Sequence, residues 1–100
     1  MVEVGMTTSD RLARERILGL TVILELSINQ YPPKFEQAIS TAAMIRNIVR
    51  EGAHLTNSEK AHLIKSLAMI KAKAYASGSR DALAVYKKLD TISDELVQLL

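Results

Sequence analysis

The chain has 100 residues, a net charge of +2 from 13 basic and 11 acidic side chains, and no cysteine. That length suits one domain, and the 48% hydrophobic share excludes an extended disordered chain. Without cysteine there are no disulfides, thiolate nucleophiles or cysteine-based zinc sites, and the near balance of charge gives bulk electrostatics no claim on nucleic acid.

Leu (13), Ala (12) and Ile (9) dominate, with only four aromatics and two prolines, a composition of helix formers. Four helices are expected, over about 8–30, 33–51, 57–77 and 80–99. Thr7, Thr8, Ser9 and Asp10 offer N-caps for the first, and Tyr31-Pro32-Pro33 ends it. Pro33 then suits the first position of the second helix, whose Phe35, Ala38, Ile39, Ala42, Ile45 and Val49 gather on one face before Glu51-Gly52 stops it. Thr56 with Glu59 three residues on forms a capping box for the third helix, and Leu63, Leu67, Ile70 and Ala74 give its apolar stripe. Gly78 fits a left-handed position beyond that helix, with Ser79 or Asp81 opening the fourth. There Ala82, Val85, Leu89, Ile92, Leu96 and Leu99 fall on one side, with Lys87, Lys88, Thr91, Asp94, Glu95 and Gln98 on the other.

Short connections force sequential helices to run antiparallel, so the expected fold is all-α: a single-domain, up-down-up-down four-helix bundle that dimerises. The nearest competitor is two stacked helical hairpins. Ala74-Tyr75 followed by Gly78, Ala82 and Tyr86 resembles the punctuation of tetratricopeptide repeats, with different spacings and only one unit where three are needed. Segment 21–29 is ambiguous. Thr21-Val22-Ile23 is β-branched and Leu24 to Asn29 alternates as a strand does, yet no second segment offers to pair with it.

The uncharged runs Ile17–Leu24 and Ala38–Ile45 are eight residues long, far short of the ~20 apolar residues that a bilayer span needs, and Glu3, Asp10, Arg11, Arg14, Glu15 and Arg16 precede them. The expectation is a soluble protein of the cytoplasm that engages no membrane.

The first helix holds more apolar residues than a bundle core can take. Ile17, Leu20, Leu24 and Ile28 form one stripe, which leaves Val22, Ile23 and Leu26 on the far side and Leu18 between; Met44 and Ile48 lie off the second helix's stripe in the same way. Exposed apolar faces mark interaction sites. Leu18, Val22, Ile23, Leu26, Met44 and Ile48 are therefore the expected interface, and the expected function is that of a small non-enzymatic regulatory or adaptor protein binding itself, as a homodimer, or another protein.

Two other readings use polar residues. His62, Ile64 and Lys65, with the small Ser66, form a pattern in which an imidazole could take a phosphoryl group beside a charge-offsetting lysine. The stretch resembles the phosphoacceptor helix of histidine phosphotransfer domains, small four-helix bundles with an exposed mid-helix histidine. In that family an apolar residue, a lysine and a glycine stand two, three and four positions after the histidine; here Ser66 replaces the glycine. The resemblance implies His62 as phosphoacceptor with Lys65 in support. The third reading is phosphate contact by the basic hairpin 60–88, through Lys71, Lys73, Arg80, Lys87 and Lys88. No aromatic platform accompanies it, because Tyr31, Tyr75 and Tyr86 are scattered. No cofactor or metal is expected: Glu59-x-x-His62 is a lone copy of a di-metal pairing and lies in the capping box, and His54 sits beside Leu55 in a loop.

Overall fold

A computed structural model describes residues 8–77 and 80–100, with side chains described from Asp10 onward. It has four helices: α1 (Thr8–Asn29), α2 (Phe35–Arg50), α3 (Asn57–Ala76) and α4 (Arg80–Leu99). Segment 21–29 is helical. Its hydroxyls explain how a strand-like pattern fits a helix: Thr21 Oγ1 donates to the Ile17 carbonyl at 2.8 Å and Ser27 Oγ to the Ile23 carbonyl at 2.9 Å. Each of these hydroxyls is thus satisfied one turn back along its own helix. Thr41 does the same with the Gln37 carbonyl at 2.7 Å.

The start of α2 differs from expectation. Pro33 stays outside the helix, because the Lys34 N–H is directed back to the Ser27 carbonyl at 3.0 Å, closing the α1–α2 turn; helical bonding begins with Ala38 N–H to the Lys34 carbonyl. At the other end Glu51 is the C-cap, and Gly52 takes φ +106°, the left-handed conformation that a residue without Cβ adopts freely. The capping box of α3 forms as read: Glu59 N–H donates to Thr56 Oγ1 at 3.1 Å and Thr56 N–H to Glu59 Oε1 at 2.8 Å. Thr7, Gly78 and Ser79 lie outside the described residues.

The short links alternate the helix directions. The packing is that of a four-helix bundle whose neighbours run α1, α2, α4, α3 and back to α1: α2 packs broadly on α1 and α4, and α3 broadly on α4. The α1–α3 and α2–α3 contacts are sparser, and among the described residues α1 and α4 are not neighbours. The core is built by Ile17, Leu24 and Ile28 of α1, Ala38, Ala42 and Ile45 of α2, Leu63, Leu67, Ile70 and Ala74 of α3, and Leu89 and Leu96 of α4. Alanines at the centre of α2 let its neighbours approach closely, and because α2 is flanked by two well-packed partners its buried arc is wide.

Two assignments change as a result. Ile48, expected on the interface, is 5% exposed and belongs to the core. Leu99, expected in the core, is 41% exposed at the last position of α4. Ion pairs tie helices that run in the same direction: Arg14 to Glu59 at 2.7 Å between α1 and α3, and Arg50 and Arg46 to Glu95 at 2.9 and 3.2 Å between α2 and α4.

Candidate interaction surface and the histidine seam

The outer face of α1 is apolar and unpartnered within the chain. Val22 is 54% exposed, Ile23 39% and Leu26 56%, and Leu12, not singled out by the sequence pattern above, is 56% exposed beside them. Gly19 lies on the same face, with nothing within 4 Å of where a Cβ would stand. Leu12, Gly19 and Leu26 recur every seven residues, so they form one line along the helix, with Val22 and Ile23 flanking it. That spacing is the signal in the sequence for Leu12, which stands apart from the densest apolar run, 17–28. Met44 on α2 is 44% exposed. Leu18 is half-buried, turned toward the α1–α3 seam, where it lines a cleft of about 230 Å³ with Ile17, Leu55 and Leu63.

The same cleft reaches His62, which also borders a second cleft of about 170 Å³ with Glu25, Ile28, Lys65, Ser66 and Met69. The structure therefore brings His62, Lys65 and Ser66 together, as the phosphotransfer pattern requires. It also places the Glu25 carboxylate of α1 in hydrogen-bonding contact with His62 Nε2. A phosphoryl group on that nitrogen would have to displace the carboxylate and then face its negative charge. Ser66 is buried, so the small side chain clears space for α1 and not for an outside partner.

Much of the basic hairpin is occupied by structural work. Lys73 Nζ donates to the Ile28 carbonyl at 2.8 Å, and Lys60 Nζ to the Leu100 carbonyl at 3.3 Å. Neither α1 nor α4 has a basic residue in its last turn. A lysine from α3 supplies each with the cation that the partial negative charge and open carbonyls of a helix C-terminus favour. Lys71 pairs with Asp90 at 3.3 Å. Of the five residues read as phosphate contacts, Arg80, Lys87 and Lys88 remain exposed, and the adjacent Lys87 and Lys88 diverge by about 100° around α4.

Glu59 serves two partners. Its carboxylate accepts the Thr56 N–H and the Arg14 guanidinium, Nε at 3.2 Å and Nη2 at 2.7 Å. The backbone hydrogen bond from Thr56, then the bond and charge of Arg14, hold its carboxyl below the usual glutamate range despite the opposing effect of partial burial. Among the described residues no cluster of three or more His, Asp or Glu could hold a metal ion, and no helix is long and apolar enough to cross a membrane. Compared with family models, curated proteins and solved structures, the chain matches none.

Proposed function

We propose that the protein is a small regulatory or adaptor module of the cytoplasm that acts by binding through the outer face of α1, with a second copy of itself as the first partner. The observation that supports this reading is the exposure of Leu12, Val22, Ile23 and Leu26 on one face of a helix whose opposite face already fills the core. A monomer gains nothing from such a face, since burying Val, Leu or Ile contributes about 1.5–3 kcal/mol per side chain only where water is removed. The test is the pair Val22→Glu and Leu26→Glu, measured by sizing column and circular dichroism. The expected result is a helical monomer; an unchanged elution volume would overturn the reading.

The phosphotransfer reading has less in its favour, because Glu25 occupies the reactive nitrogen of His62. It requires acid-labile phosphoryl labelling that His62→Ala removes, whereas the interaction reading leaves partner binding untouched by that change.

A further inference from the structure

The chain's aromatic residues are three tyrosines and one phenylalanine, far apart in sequence. The alternating helices bring all four to one end of the bundle: Tyr31 in the α1–α2 turn, Phe35 at the start of α2, Tyr75 in the last turn of α3 and Tyr86 in the second turn of α4. Phe35 and Tyr86 are half-buried against the core, whereas Tyr31 is fully exposed and Tyr75 is 70% exposed. Tyr75 is nonetheless held in place. Its ring meets Tyr86 edge to face, with centroids 5.7 Å apart and planes at 62°. A large ring kept in water and braced from the core is a stacking surface formed before any ligand arrives.

Each exposed tyrosine borders a cleft. Tyr75 and Tyr86 line one of about 350 Å³ together with Ala68 and Ala72, whose small side chains leave the space beside the ring open. Tyr31 lines another, of about 460 Å³, with Pro33 and Ala76. Tyr75 and Ala76 point about 100° apart around α3, so the two clefts flank its last turn.

Cations stand beside the rings. Arg80 and Lys87 are exposed and seven residues apart, which sets them on one line of α4 next to Tyr86, and Lys34 is exposed three residues after Tyr31. The acids of this end are Glu36, Asp81 and Asp90, with Glu25 held on His62. Asp90 pairs with Lys71 at 3.3 Å, and Asp81 lies about 140° around α4 from Tyr86. Asp94 ends the basic line about 10 Å beyond Lys87. Lys73 adds no free charge, because its ammonium is spent on the Ile28 carbonyl.

Ring faces and separate cations together suit a ligand whose own flat rings are uncovered and joined by phosphates. A single strand offers both, a duplex keeps its base faces stacked, and an acidic peptide brings the charge without the bases. We infer that this end of the bundle binds single-stranded nucleic acid without sequence preference, one base stacking on Tyr75 and another on Tyr31, with phosphates held by Arg80, Lys87 and Lys34. The surface uses none of the outer face of α1, so it stands whether or not two copies pair there.

The test titrates the full chain against a labelled oligothymidine of about twelve nucleotides, within the span that single-strand sites cover, and reads anisotropy and tyrosine emission together. With no tryptophan in the chain, the emission comes from these three rings. Binding should quench it and weaken with salt at a log–log slope near −2, for about three phosphates at ~0.7 each. Tyr75→Ala is expected to weaken binding roughly tenfold and Tyr75→Phe, which keeps the ring, by less than about twofold, with helicity of both checked by circular dichroism. Tyr31→Ala, in a turn, should act like Tyr75→Ala and keeps the test sound if α3 is disturbed. Arg80→Ala and Lys87→Ala should each reduce the slope by about 0.7. Absence of binding at about 100 μM protein, or folded Tyr75→Ala and Tyr31→Ala variants of unchanged affinity, would overturn the inference. So would duplex of the same length or polyglutamate binding as tightly as the single strand, the latter marking a surface for acidic proteins instead.

Discussion

The outer faces of α1 and α4, at opposite corners of the bundle, carry apolar residues at the same spacing with different consequences. On α4, Leu83 and Val97 are 47% and 49% exposed and fourteen residues apart, and Asp90 and Asp94 stand on the same side between them. On α1, Leu12 and Leu26 are also fourteen residues apart, and the interval holds Gly19, Val22 and Ile23 along with Glu15. The first is a pair of isolated residues of the kind any surface has; the second is a group of four, densest at Val22, Ile23 and Leu26, with Glu15 and Arg16 between these three and Leu12. Exposure alone therefore does not mark an interface. What sets α1 apart is the number of exposed aliphatic residues gathered on one face, four against two.

The comparison can be broken most sharply within α1 itself. Leu24 is fully buried and Leu26, two residues on, is 56% exposed. Leu24→Ala is expected to destabilise the fold by about 2–5 kcal/mol, the range for emptying a packed site. Leu26→Ala should change monomer stability by less than about 0.5 kcal/mol and weaken self-association instead. Chemical denaturation at several protein concentrations separates the two, and equal losses of stability would show that both faces belong to one core.

Smaller effects come from the ends of the helices. Glu59→Gln is expected to cost about 1 kcal/mol at neutral pH, from the weakened capping box and lost charge. Because folding holds the Glu59 carboxyl below its ordinary range, its contribution is complete above that range and fades as the pH falls through the lowered value. The gap between wild type and variant should accordingly close in acid; a gap constant with pH would mean the charge is irrelevant. Lys73→Met should cost about 0.5–1.5 kcal/mol by freeing the Ile28 carbonyl, with no change in affinity for nucleic acid measured by gel shift. His62→Ala removes a partly exposed contact to Glu25 and should shift thermal stability by no more than about 1 kcal/mol.

Helix positions and most of each core stripe were legible because periodicity of apolar residues acts locally. Leu63, Leu67, Ile70 and Ala74 are all buried as their spacing implies. Ile48 was not legible, since its burial depends on α2 being flanked by both α1 and α4, a property of the helix order and not of α2's own sequence. The same holds for Lys73 and Lys60, whose partners are the carboxyl ends of other helices. Glu25 on His62 is a third case: 37 residues separate them, and only the α1–α3 seam brings the carboxylate to the ring.

The claim that α1 and not α4 carries the interface is tested most directly by methyl resonances in the presence of a soluble paramagnetic probe, followed as protein concentration rises. Val22, Ile23 and Leu26 should lose their solvent relaxation while Leu83, Val97 and Leu99 keep theirs. If the two sets remain equally exposed at every concentration, or the α4 set is the one protected, the account is contradicted.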